Sequence, residues 1–227
     1  MTAPLTIIVP VYNEERTIAS VMEILNKTHA DAQIIYVNDG SRDRSEEILR
    51  MHARPQDLVL TKENGGKGSA IRLGLEHATA PFTVIQDADL EYEPAQIHDL
   101  HAEALLHPEC AIFGSRFLQP NPNIYKRFLL GNKVVTAWLN LLFGSKVTDS
   151  YTCYKMLPTD TFRSLNLQSR GFEMEAEICA KCLKQEVIIR EIPIHYHPRT
   201  IEQGKKINGR DAWKAITTMW RLRWVKL

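Results

Sequence analysis

Short apolar runs, each stopping at a polar turn and leading into a helical pattern, constrain this chain more than any other feature. Leu5–Val11 reads as a buried strand that flows into Tyr12-Asn13-Glu14-Glu15. A helix follows over Glu15–Lys27, with Ile18, Val21, Met22 and Leu25 on one face. Gln33–Val37 is a second strand, ending at Asn38-Asp39-Gly40-Ser41, where Ser41 or Asp43 can cap a helix running toward Met51. Leu58–Thr61 is a third, followed by Asn64-Gly65-Gly66-Lys67-Gly68 and a helix to Ala78. Phe82–Gln86 is a fourth, ending at Asp87-Ala88-Asp89, and Pro94 suits the first turn of a helix reaching His107. This alternation predicts an α/β fold: a mainly parallel, doubly wound sheet flanked by helices. Ligands on such sheets bind beyond the carboxyl ends of the strands.

The second half is less regular. Asn123–Phe143 reads as a long apolar helix with Gly131 and Gly144 as breaks, followed by a strand over Thr152–Leu157 and a helix over Gly171–Lys184. Val187–Tyr196 is a further strand, Arg199–Arg210 a basic, glycine-containing loop, and Asp211–Trp224 a closing helix. The expected organisation is one domain over 1–210, with halves 1–116 and 117–210, and a C-terminal amphipathic helix over 211–227.

A chain of 227 residues with 44% hydrophobic composition can bury one sizeable core. Its formal charge of +1 supplies no overall field for nucleic acid, so no nucleic-acid partner is expected. Cys179 and Cys182 form a C-x-x-C inside a helical pattern, with no second pair or nearby histidine to complete a zinc site; with Cys110 and Cys153 they read as reduced core thiols. No secretory signal is evident, and the apolar stretch Val134–Phe143, broken by Asn140, is shorter than the ~20 residues a membrane span needs. A cytoplasmic protein is expected.

The acids carry the chemistry. Asp39, the Asp87/Asp89 pair and the Tyr12-Asn13-Glu14 turn all sit at strand carboxyl ends, which in a parallel sheet face one crevice. Acids gathered there repel one another and call for a metal or a polyhydroxylated ligand. Asp-x-Asp offers two hard oxygen ligands suited to Mg²⁺ or Mn²⁺ bridging a diphosphate, and Glu91 adds a third carboxylate; an ordinary helix-capping acidic turn is the alternative. The Gly65-Gly66-Lys67-Gly68 turn matches neither a P-loop nor a dinucleotide fingerprint. It can approach a phosphate, or be a tight turn with a solvated lysine.

The series Ile7-Ile8-Val9-Pro10-Val11-Tyr12-Asn13-Glu14, Asn38-Asp39-Gly40-Ser41, Asn64-Gly65-Gly66-Lys67-Gly68, Asp87-Ala88-Asp89, Gly114-Ser115-Arg116 and Thr148-Asp149-Ser150-Tyr151-Thr152 resembles the family-two inverting glycosyltransferases. Within them it is most similar to the branch of dolichol-phosphate mannose synthases and polyprenyl-phosphate hexose synthases. The resemblance implies a GT-A fold, with 1–116 as the nucleotide-sugar-binding half and 117–210 as the acceptor half. It implies that Pro10, Tyr12, Glu14, Val37 and Asp39 hold base and ribose. Asp87 and Asp89, with Glu91, would hold the metal and the donor diphosphate, and Lys67, Ala88 and Arg116 belong to the same donor site. Arg199, Lys205 and Lys206 match a basic loop that closes over phosphates. Two departures stand out: Thr152-Cys153-Tyr154 replaces the common Thr-Ser-Gly, and the transmembrane helices many relatives append are absent from this sequence.

The implied function is transfer of a hexose from a UDP- or GDP-linked donor to a polyprenyl or dolichyl phosphate at the cytoplasmic membrane face. A soluble or glycan hydroxyl acceptor, or a non-catalytic nucleotide-sugar-binding protein, are the alternatives. A hydroxyl needs a general base, for which Asp149, Glu175 and Glu177 are candidates; a lipid phosphate needs none. Trp213, Ile216, Trp220 and Trp224 recur on one face of the last helix among Lys214, Arg221, Arg223 and Lys226. That helix either lies in a headgroup layer or docks its tryptophans on the domain or a second subunit, which leaves a homo-oligomer open. The Ile124–Phe143 helix either cradles a polyprenyl chain or is core. His195 and His197 read as structural, and His98 and His101 as surface.

Overall fold

The structure, a computed structural model, describes residues 4–121, 126–199 and 209–225. Seven strands form one sheet: β1 (Leu5–Val11), β2 (Gln33–Asn38), β3 (Leu58–Thr61), β4 (Phe82–Ile85), β5 (Ala111–Ser115), β6 (Lys155–Pro158) and β7 (Ile189–Pro193). Their spatial order is β3-β2-β1-β4-β6-β5-β7, with every pairing parallel except those of β6. Helices α1 (Ile18–Thr28), α2 (Ser45–His52), α3 (Lys67–Glu76), α4 (Ile97–Leu106), α5 (Lys126–Phe143), α6 (Thr159–Ser164), α7 (Met174–Lys184) and α8 (Gly209–Trp224) flank it.

The central strands are buried along almost their whole length, because parallel strands covered by helices on both faces need continuous apolar runs. The four α1 residues expected on one face, Ile18, Val21, Met22 and Leu25, all enter the core. The second half departs from expectation. β5 is an unforeseen strand of five buried residues, and α6 is an unforeseen short helix. The strand expected over Thr152–Leu157 begins only at Lys155 and runs antiparallel between β4 and β5, pairing Val84 and Ile112 with Met156. Before Lys155 the chain still touches β5, where the Gly114 amide donates to the Tyr154 carbonyl at 2.8 Å, and Cys153 reaches the cavity wall.

All four cysteines are free and buried, as core thiols. No helix among the described residues is long and apolar enough to cross a membrane.

Candidate active site

The parallel strands β1, β2 and β4 deliver their carboxyl ends to one side of the sheet, where a cavity of ≈ 370 Å³ opens. Pro10, Tyr12 and Glu14 line it from the end of β1, Asp39 from β2, and Asp87, Ala88 and Asp89 from β4. Glu91, Lys67, Arg116, Glu175 and Arg199 complete the wall among the residues singled out from sequence. Val37 does not reach it: it is fully buried within β2, between Pro10 and Leu60. Lys205 and Lys206 lie outside the described residues.

Asp39 follows β2 directly and faces the glycine turn that follows β3. Its carboxylate accepts the Gly65 and Gly66 amides at 2.9 and 2.7 Å and pairs with Lys62 at 2.7 Å. The Gly68 amide donates to the Arg170 carbonyl. These three amides are therefore engaged inside the protein. The glycines of the turn answer to space. Gly66 has φ +91°, and a Cβ on Gly66 or Gly68 would run into the carbonyls of Arg170 or Ser169.

The acids of the crevice share a smaller set of cations. Lys67 bridges Asp87 at 2.7 Å and Glu175 at 2.9 Å, and Glu175 also meets Lys155 at 2.7 Å. Burial works against the Lys67 ammonium, but Asp87 and Glu175 outweigh it and hold its pKa well above the usual lysine value. Arg199 bonds Glu14 at 2.9 Å and Asp89 at 2.8 Å, and its backbone amide donates to Glu91 at 3.0 Å. Glu91 also accepts the Tyr196 hydroxyl. Asp89 is pushed up to about 7, first by burial and then by the neighbouring charges of Asp87 and Glu91, with Arg199 pulling the other way.

The three acids expected to share a metal do not converge. Among the described residues no group of three or more His, Cys, Asp or Glu side chains has ligand geometry, because Lys67 draws Asp87 one way while Tyr196 and Arg199 hold Glu91 another. Asp87 and Asp89 remain two hard oxygen donors on one turn at the cavity wall. That pair fits Mg²⁺ or Mn²⁺ whose other ligands come from phosphate and water.

Two of the three candidate bases stand away from the cavity. Asp149 is 0% exposed and holds Arg116 in a two-pronged grip, Nε at 2.7 Å and Nη2 at 2.8 Å, while accepting the Arg116 amide at 3.1 Å. Arg116 in turn stacks 5.0 Å over the Tyr196 ring. Glu177 accepts the Gln168 and Ser169 amides and pairs with Lys181 at 2.8 Å. Burial opposes its charge, yet Lys181 and the Ser169 contacts prevail and keep its carboxyl below the usual range. Only Glu175 lines the cavity, clamped between two ammonium groups.

Lys155 went unremarked in the sequence. A lysine inside the apolar strand Lys155-Met156-Leu157 was the available signal, since a buried ammonium requires a partner. Lys155 stands behind Glu175, and Phe172 and Tyr92, which do line the cavity, carry no comparable mark.

Comparison with known proteins agrees with this geometry. Over 195 residues the chain is 27% identical to "Glycosyltransferase AglJ" of Haloferax volcanii, covering 85% of this chain and 63% of that protein. It is 26% identical over 223 residues to a low-salt glycan biosynthesis hexosyltransferase of the same organism, covering 95% and 52%. An undecaprenyl-phosphate 4-deoxy-4-formamido-L-arabinose transferase of Shewanella sediminis is 36% identical over 110 residues, covering 44% and 32%. The chain thus spans 32% to 63% of these relatives' lengths. In fold it resembles glucosyl-3-phosphoglycerate synthase of Mycobacterium tuberculosis, solved with Mn²⁺, UDP and phosphoglyceric acid. The TM-score is 0.75 at 16% identity, covering 99% of this chain and 80% of that one. The sheet is that of a GT-A fold. Residues 6–165, most of the chain, match the family described as Glycosyl transferase family 2, and the chain belongs to that family.

Proposed function

We propose that this glycosyltransferase moves a hexose from a UDP- or GDP-linked donor, with inversion, to a polyprenyl or dolichyl phosphate at the cytoplasmic face of a membrane. The observation that carries the reading is the pairing of every carboxylate singled out on the cavity wall with a cation or hydrogen-bond donor. A carboxylate already held by an ammonium or guanidinium is a poor proton acceptor, and Asp89, which burial raises to about 7, would be taken up by the metal. Such a site suits an acceptor that arrives anionic and needs no deprotonation. The name of the arabinose transferase, which acts on undecaprenyl phosphate, supports the same acceptor class.

Pro10, Tyr12 and Glu14 would receive the nucleoside, against the wall formed by Asp39 and the glycine turn. Asp87 and Asp89 would hold Mg²⁺ or Mn²⁺, which when bound supplies charge for the leaving diphosphate. Lys67 sits beside Asp87 and Arg199 beside Asp89, so both cations are placed to turn toward phosphate oxygens. Glu175, fixed by Lys155, steers Lys67 rather than accepting a proton. Arg116, held by Asp149, lines the same cavity and would offer a fixed guanidinium to the donor's phosphates. The acceptor oxygen attacks the anomeric carbon from the face opposite the diphosphate, which inverts the configuration.

The test is calorimetric titration of UDP- and GDP-hexoses with and without Mn²⁺, followed by transfer assays with polyprenyl phosphate. Asp89→Ala is expected to abolish transfer with little change in melting temperature. Full transfer by that variant, or no donor binding by the native protein, would remove the assignment.

A further inference from the structure

Two neighbouring helices leave the same pattern open to solvent. On α5, Leu130, Val134, Ala137 and Leu141 fall at i, i+4, i+7 and i+11 and are all exposed. On α8, Trp213, Thr217, Trp220 and Trp224 fall at the same spacing and are also all exposed. In each case one stripe faces outward while the opposite face enters the core: Val135 and Leu139 from α5, Ala215, Met219 and Leu222 from α8. The tryptophans are 67%, 51% and 66% exposed, so each keeps half or more of its surface open. Trp138 stacks on Trp220 with ring centroids 6.0 Å apart, and Arg223 reaches the Leu142 carbonyl at 2.9 Å, which joins the two stripes into one plate.

We infer that this α5–α8 plate is a docking surface for an anionic lipid bilayer, with the tryptophans and the α5 aliphatics entering the headgroup layer. Charge selects this partner. Lys133 on α5 and Lys214, Arg221 and Arg223 on α8 are exposed around the plate. α5 contains no Asp or Glu, and the single acid of α8, Asp211, is buried. The described residues of the plate thus offer cations without an exposed carboxylate, in a chain whose overall charge is only +1. A second copy placed face to face would set these cations against their own kind, whereas lipid phosphates neutralise them. Exposed tryptophan beside lysine and arginine is what a headgroup layer accommodates.

The plate also connects to the cavity. Thr136, on the inner side of α5, exchanges a 2.9 Å hydrogen bond with Ser150, next to the cavity-lining Tyr151. Docking would therefore bring the Tyr151 side of the cavity wall toward the lipid surface; this meaning, though not the surface chemistry, rests on the lipid-phosphate reading above.

The test is flotation of the full chain with phosphatidylcholine vesicles, alone or mixed with phosphatidylglycerol. Three variants are compared: Leu130→Ser/Val134→Ser/Leu141→Ser, Trp213→Ser/Trp224→Ser, and Lys214→Glu/Arg221→Glu. The native protein is expected to prefer the anionic vesicles, and each variant to bind them about tenfold less, with melting temperature and UDP- or GDP-hexose binding unchanged. Native-strength binding by either apolar variant overturns the two-helix plate, and equal binding to both vesicle types overturns the charge argument. A native dimer that the tryptophan variant dissociates, with vesicle binding untouched, assigns the face to self-association instead. Donor binding without vesicle binding sinks this inference alone, and vesicle binding without donor binding sinks the transferase reading alone.

Discussion

Asp149→Asn separates a base from a positioning residue. The native carboxylate is fully buried and accepts Arg116 Nε, Nη2 and backbone amide at 2.7, 2.8 and 3.1 Å. An amide keeps the shape but has one acceptor oxygen, and its NH₂ group is turned against a guanidinium N–H. The buried cation then lacks its counter-charge, which costs about 3 kcal/mol. For a domain of this size that lowers the melting temperature by about 6–12 °C. Calorimetry reads this directly. Transfer kinetics read the rest: a displaced Arg116 reduces kcat/KM while leaving the shape of the pH profile as in the native enzyme. Arg116→Lys should show a similar loss, because one ammonium cannot reproduce the two-pronged contact. Joint replacement by Arg116→Met and Asp149→Leu should restore much of the stability but no activity, since a well-packed apolar pair replaces a buried ion pair at little cost. A native melting temperature in Asp149→Asn, or loss of the acid limb of its pH profile, refutes the reasoning and returns Asp149 to the role of base.

Three further outcomes are expected. Asp39→Ala strips the Gly65 and Gly66 amides and Lys62 of their acceptor and should cost about 3 kcal/mol, read by denaturant titration, with protease cutting appearing in the glycine turn. Gly68→Ala drives a methyl group into the Ser169 carbonyl, whose own amide is anchored by Glu177; a loss of about 2 kcal/mol is expected, and a neutral result would show that the turn yields. His29 is buried, stacked 4.3 Å from His98, and lowered to about 4 by burial first and then by His98. Its folded value lies below the unfolded one near 6.5, so its neutral form stabilises the fold above that pH, and this contribution is lost as pH falls from about 6.5 toward 4. Melting curves across that window should be flatter for His29→Phe than for the native protein.

Much of the site was legible because it is written locally. Strand ends fall where an apolar run stops, so Asp39, Asp87 and Asp89 could be placed in one crevice from hydrophobic pattern and chain direction alone. Tyr12 and Glu14 followed for the same reason. The length and spacing of β1, α1, β2 and β4 were also readable, since each element is specified by residues within it. Glu91 does line the cavity but does not join Asp87 and Asp89 in one ligand group, and Val37 does not reach the wall. Which way a side chain leaves a strand end depends on partners that arrive from elsewhere, here Tyr196 and Arg199 for one and the Pro10 and Leu60 strands for the other.

By itself the sequence determined the α/β class, the acid-bearing edge of the sheet and the amphipathic periods of the last helices. Tertiary structure decided three things. It inserted β6 antiparallel between β4 and β5, an arrangement set by pairing rather than by local pattern. It assigned each acid its cation, joining Arg116 to Asp149 across 33 residues and Lys67 to Glu175 across 108. It also chose which apolar stripes of α5 and α8 were covered. The physical reason is one of range: periodicity and turn chemistry are encoded over a few residues, whereas ion pairing, strand order and burial depend on what the folded chain brings alongside.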